Sequence, residues 1–138
     1  MKGIYVLFLV MVVVLAGFPA QASAESLAAP ELDKPKDKAK NQVATTVLKW
    51  NEVPGAKGYR VMVSLSAENL NALAPKAACT DCLVDQKVTS PTYQIPMKLL
   101  TKNAPYFWTV RALSETDEGP SAAIRSYTLA STFFQDMD

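Results

Sequence analysis

From Thr45 to Leu129, outside a stretch between Ser66 and Lys87, the apolar side chains recur at every second position, and the runs break at turn residues roughly every ten positions. This period narrows the available folds more than any other feature of the chain. Alternate residues of an extended backbone face opposite sides of a sheet, so each run has one side to bury and one to expose. Repeated short runs separated by turn signals are what a two-sheet sandwich or a barrel requires, and no stretch carries a long helical period.

The strongest run is Tyr106 to Leu113, with Tyr106, Trp108, Val110 and Ala112 on one face and Phe107, Thr109 and Arg111 on the other. Gly58 to Leu65 sets Tyr59, Val61, Val63 and Leu65 inward against Arg60, Met62 and Ser64 outward. In Thr45 to Trp50 the residues Thr46, Leu48 and Trp50 share a face, and Val53-Pro54-Gly55 ends the strand because Pro-Gly favours a turn. Thr92 to Pro96 reads as a short strand with Tyr93 and Ile95 inward, confined to a sheet edge by Pro91 and Pro96. Glu115 to Pro120 reads as a polar turn and Ala122 to Leu129 as the closing strand. Between Ser66 and Lys87 the alternation is lost. Leu70, Leu73 and Ala74 have helical spacing there, enough for a turn or two of helix that needs tertiary support.

Several of these residues resemble, as a set, the fibronectin type III family in its bacterial extracytoplasmic branch. They are Trp50 on the second strand, Gly55-Ala56-Lys57-Gly58-Tyr59-Arg60-Val61 entering the third, and Leu100 six positions before Tyr106. Tyr106-Phe107-Trp108-Thr109-Val110-Arg111-Ala112 and Gly119-Pro120-Ser121 complete the set, and the resemblance covers Ala29 to Leu129. It implies an all-β fold, a two-sheet antiparallel β-sandwich of immunoglobulin-like kind. Trp50, Tyr59, Leu100, Tyr106 and Trp108 are the expected structural core. The resemblance also gives the Tyr106 hydroxyl a corner bond back to the loop before its strand, with Leu100 packing below. The middle segment around Cys79 departs from the family pattern. So does the turn Glu115 to Gly119, which carries no Arg-Gly-Asp and gives no support to integrin-type adhesion.

The chain opens with Lys2, an apolar run from Gly3 to Phe18, Pro19, and the small-residue box Ala22-Ser23-Ala24, the pattern of a cleavable secretory signal peptide. A retained anchor is the rival reading, but a spanning helix needs about 20 apolar residues, and Pro19 with the box favours cleavage after Ala24. A lipoprotein would need Cys where Phe18 stands. The expected organisation is therefore signal peptide 1–24, N-terminal linker and first-strand region 25–40, sandwich 41–130, and C-terminal tail 131–138. Loss of Lys2 with the signal balances 14 basic against 13 acidic residues, which favours neither nucleic acid nor an anionic membrane surface. Lys34, Lys36, Lys38 and Lys40, interleaved with Asp33 and Asp37, read as a solvated leader strand or linker. The expected partner is a protein or glycan of the cell envelope or exterior, without membrane insertion after cleavage; the oligomeric state is not set by the sequence.

The chain has no His, which removes His-based triads, His-metal sites and imidazole bases together. Its one compact motif is Cys79-Thr80-Asp81-Cys82. Haem attachment would need His where Leu83 stands, and zinc would need soft ligands that the chain lacks. A redox pair normally opens a helix that lowers one thiol pKa. A structural disulfide between Cys79 and Cys82 suits an exported chain, with thiol-disulfide exchange as the enzymatic alternative. The nearest carboxylate pairs are Asp117 with Glu118 and Asp81 with Asp85. They lie in polar turns where solvation accounts for them better than hydrolysis, and a calcium site at Asp81 and Asp85 lacks the usual dense oxygen loop. No catalytic residue, metal or cofactor is expected. Arg60, Met62, Phe107, Thr109 and Arg111 share the outward face of the third and sixth strands and form the candidate binding patch, since aromatic, Met and Arg side chains are enriched at interface cores. Against this stands a cover of Leu70 and Leu73 over Phe107.

Overall fold

The computed structural model describes residues 27–135. The signal segment, its cleavage point and residues 136–138 lie outside the described residues. Among the described residues nine strands form two sheets: β1 Leu32–Lys34, β2 Ala39–Gln42, β3 Val47–Trp50, β4 Gly58–Ser64, β5 Val84–Val88, β6 Thr92–Gln94, β7 Tyr106–Leu113, β8 Glu118–Ser121 and β9 Arg125–Leu129. One sheet runs β1-β3-β6 and the other β2-β9-β7-β4-β5, with β8 also paired to β7. Pairings are antiparallel except that of β2 with β9. Two short helices, α1 Ala67–Asn71 and α2 Thr132–Gln135, and a 3-10 turn at Met97–Leu99 complete the structure. The molecule is the two-sheet sandwich that period two requires.

The core lies between the sheets. Leu32, Leu48, Trp50 and Ile95 from the smaller sheet's side meet Tyr59, Val61, Val63, Tyr106, Trp108, Val110 and Tyr127 of the larger one. Trp50 packs edge-on against Tyr59 at 5.5 Å between ring centroids, and the Tyr59 hydroxyl accepts the Val53 N–H at 2.9 Å. That bond ties β4 to the turn before it. In this turn Gly55 takes φ +84° behind Pro54, with Ala56 N–H on Val53 C=O, so a side chain at Gly55 would be strained. Tyr106 is fully buried; its hydroxyl donates to Lys102 C=O at 2.7 Å and accepts the Lys102 N–H at 2.9 Å, closing the corner. Burial raises the pKa of Tyr106 and, further, that of Tyr127, whose ring lies 6.0 Å away. Leu100 is fully buried in the same cluster.

Several expectations need correction. Leu65 does not face the core: β4 ends at Ser64, and Leu65 is exposed. The irregular segment is shorter than its sequence suggests, because its last residues form β5, where Asp85, Gln86 and Lys87 are exposed and only Val84 is buried. The polar turn after β7 is tighter, because Glu118 to Ser121 pairs with β7 as β8. Of the two readings of the leader, strand or linker, its backbone takes the strand. Although Lys34, Lys36, Lys38 and Lys40 are all exposed, β1 pairs with β3 and β2 with β9, so backbone pairing begins at Leu32, within the first-strand region 25–40. Arg125 secures the crossing between the sheets by donating to Asp33 C=O at 2.9 Å and Pro35 C=O at 3.0 Å, while Asp37 accepts the Ser126 N–H at 3.0 Å. At the other end Phe133 and Phe134 pack on the core, so the described part of the tail is also attached.

Trp50→Ala is expected to cost about 3–5 kcal/mol through lost core volume. Tyr106→Phe, which removes two hydrogen bonds, should cost about 1–3 kcal/mol. Denaturant midpoints at unchanged slope measure both; a Trp50→Ala protein as stable as the parent would contradict this core.

Candidate functional site

The outer face of the larger sheet carries the chain's buried charge. Arg60 on β4 and Arg111 on β7 are direct cross-strand partners, and on the other side Arg60 faces Lys87 of β5. Three cations thus lie in one row across three strands, an arrangement that repels itself unless anions flank it. Asp85, opposite Met62, and Glu118, opposite Leu113, supply them diagonally. Arg60 grips Asp85 with both arms of its fork, Nε to Oδ1 at 2.6 Å and Nη2 to Oδ2 at 2.8 Å, and reaches Glu118 Oε2 with Nη1 at 2.8 Å. Arg111 Nη1 meets the same Glu118 oxygen at 3.1 Å. The side chains of Arg60, Arg111 and Glu118 are only 4–5% exposed.

These four side chains also hold backbone. Residues 66–83, which leave β4 and return as β5, lie across this face. Arg60 Nη2 donates to Ala77 C=O and Arg111 Nη2 to Leu73 C=O, both at 2.6 Å. In return Glu118 accepts the Lys76 N–H at 3.0 Å and Asp85 the Cys79 N–H at 3.2 Å. Helix α1 contacts both β4 and β7, and its Leu70 is buried, as is Met62 on β4; both lie outside the inter-sheet cluster.

This arrangement overturns the exposed-patch expectation. Arg60, Met62, Thr109 and Arg111 do occupy the outer face, as their period requires, but all four are buried, the two arginines against the backbone of Leu73 and Ala77, and Phe107 is half-buried. Thr109 is turned to structure as well, its hydroxyl donating to Ala122 C=O at 2.7 Å. Cys79 and Cys82 form a disulfide with 5.4 Å between Cα atoms, in a turn just before the chain enters β5. That setting is a loop stapled at its return and no helix N-terminus. Trp50, Tyr59, Leu100, Tyr106 and Trp108 are all buried in the inter-sheet cluster.

The carboxylate pairs come apart. Asp117 is 72% exposed and bonds only loosely to Lys76, whereas its neighbour Glu118 is turned inward. Asp81 is exposed, and Asp85 is committed to Arg60. The Arg60 hydrogen bonds hold the Asp85 carboxyl below its ordinary value of 3.8, against the opposing effect of burial, and the same contacts raise the Arg60 pKa. Both stay charged at neutral pH, which suits a clamp and not a proton carrier. Among the described residues no group of three or more His, Cys, Asp or Glu is placed to hold a metal ion. The structure does form a groove of about 750 Å³ beside the clamp, between residues 76–78 and the turn joining β7 to β8, with Lys76, Lys87, Glu115 and Asp117 on its walls and Asp85 and Arg60 deeper in.

Asp85 and Glu118 were read from the sequence as solvated turn carboxylates, and their place as partners of the two arginines was missed. The signal for them was present: two outward Arg on neighbouring strands require anions nearby, but their pairing with each other appears only in the register.

No family model matches the sequence, and no curated protein does. Solved structures show the fold. The chain is similar to an Fn3-like protein from Clostridium thermocellum, at 19% identity and a TM-score of 0.51, over 76% of this chain and 95% of that one. It also matches the fn3 domain of human collagen alpha-1(XX) chain, at 18% identity and a TM-score of 0.49, over 82% of this chain and 94% of that one. The fold is that of a fibronectin type III domain.

Glu118→Ala leaves two buried guanidinium groups short of an anion and should cost about 3–5 kcal/mol, whereas Lys76→Ala, which breaks an exposed pair, should change stability by about 0–1 kcal/mol. Because the folded pKa of Asp85 is depressed, its contribution is complete above its ordinary value of 3.8 and is lost as pH falls through the folded value. Denaturant midpoints should therefore drop as pH falls from 3.8 toward the folded value. Asp85→Asn should lower the midpoint at neutral pH and flatten the acid limb.

Proposed function

We propose that this protein is an exported, non-catalytic binding or scaffolding module that engages a protein or glycan of the cell envelope or exterior. The observation that carries the reading is the clamp. Arg60, Arg111, Asp85 and Glu118 all bind one another or the backbone of residues 73–79, so the site's buried charge is committed to shaping a surface. The groove beside it is lined by exposed groups of both signs, which suits a partner recognised by hydrogen bonds and short-range charge. Export is supported by the N-terminal signal pattern and by the disulfide, since disulfides persist in oxidising compartments. The thiol-exchange alternative gains nothing from a pair set in a turn.

Two measurements test the proposal. N-terminal sequencing of the protein recovered outside the cytoplasm should begin at Glu25; an intact Met1 in the membrane fraction would overturn the soluble exported form. Immobilised protein should retain an envelope or extracellular protein or glycan, and Glu115→Lys with Asp117→Lys should weaken that retention without moving the denaturant midpoint. Cys79→Ser with Cys82→Ser should keep the binding at a loss of about 2 kcal/mol in stability. Retention indifferent to the groove variants but abolished by the Cys pair would refute the reading.

A further inference from the structure

Among the described residues strand β5 is an edge of the larger sheet, paired on one side only, to β4. An edge exposes unsatisfied N–H and C=O groups and is a template for another strand. What distinguishes this edge is its sequence, Val84-Asp85-Gln86-Lys87-Val88, which is complementary to itself when reversed. An antiparallel copy centred on Gln86 sets Asp85 opposite Lys87, Lys87 opposite Asp85, and Val84 opposite Val88.

Two observations make that match more than a coincidence of letters. First, Lys87 ends the cross-strand row of Arg111, Arg60 and Lys87, and among the described residues it is in no salt bridge, whereas both arginines have carboxylate partners. A second β5 would continue the row with Asp85 of that copy, whose side chain is still 28% exposed in spite of its bonds to Arg60. Second, Gln86 lies opposite Val61, so it occupies the inward face with Val84 and Val88, yet it is exposed, while Val84 is buried and Val88 half-buried. An inward position left open to solvent marks where the larger sheet extends past the cover of the smaller one. At the centre of a two-fold pair the two Gln86 amides would lie side by side.

We propose that the free edge of β5 is a self-association site, through which two copies of this chain join their larger sheets antiparallel about a two-fold axis at Gln86. The contact is isologous, with each copy offering the same five residues, and it closes on itself as a dimer. It is small, so the association is weak and concentration-dependent. It shares Asp85 and Lys87 with the groove above but does not depend on the partner-binding proposal.

Sedimentation of the purified protein over a wide concentration range should show a monomer–dimer equilibrium. Lys87→Asp replaces two attractive cross-strand pairs with two repulsive ones and should weaken dimerisation about tenfold or more, with circular dichroism and denaturant midpoint showing the fold intact. The geometry has its own test. Gln86→Cys puts one thiol from each copy at the axis, so oxidised glutathione should convert it to a disulfide-linked dimer much faster than it does Lys49→Cys, which is on the smaller sheet. A protein that stays monomeric throughout, a dimer indifferent to Lys87→Asp, or equal cross-linking of the two Cys variants would each overturn the proposal.

Discussion

The outer face of this domain depends on the resolution of one electrostatic conflict. Arg60 and Arg111 oppose each other across β4 and β7, with Lys87 next in line. Such a row is tolerable under cover only if each guanidinium is neutralised and its donors are accepted. Asp85 and Glu118 neutralise them, and the carbonyls of Leu73 and Ala77 accept two more of their N–H groups. One Arg111 donor, Nε, has no partner among the described residues. The irregular segment is what gives the row its low-dielectric cover, and the row in turn is what holds the segment, so neither is explicable without the other.

This interdependence gives the domain two buried layers of different character. Between the sheets the contacts are aromatic and aliphatic, with Tyr59 and Tyr106 hydroxyls closing the turns at the periphery. Beneath residues 66–83 the contacts are ionic and directional, with Met62 and Leu70 as an apolar patch. The first layer follows area and tolerates conservative exchange, whereas the second depends on the geometry of guanidinium forks, which Lys does not reproduce. The disulfide lies where the chain leaves the ionic layer to enter β5.

The N-terminal segment shows how little exposure says about attachment. Its lysines point to solvent while its backbone joins first one sheet and then the other, with Arg125 holding the crossing. A surface charge run can therefore belong to a strand as readily as to a linker, because pairing is made by the main chain.

The sequence alone determined which side of the long central strands their residues take, Leu65 beyond the end of β4 excepted. Period two placed Tyr106, Trp108 and Val110 inward and Arg60, Met62 and Arg111 outward. Pro54-Gly55 marked the turn, and the motif set identified the sandwich and the tyrosine corner. It left β5 hidden, because Val84 and Val88 are the only apolar members of an edge strand whose charged residues obscure the pattern. It hid β8 too, because Glu118-Gly119-Pro120-Ser121 owes its extended form to β7 and not to any alternation of its own. Only the tertiary structure decided that outward means covered. The facing of a side chain is a property of its own strand, whereas the cover over that face comes from residues 66–83, held there by Arg60 with Asp85 and by Arg111 with Glu118, contacts that no local period encodes.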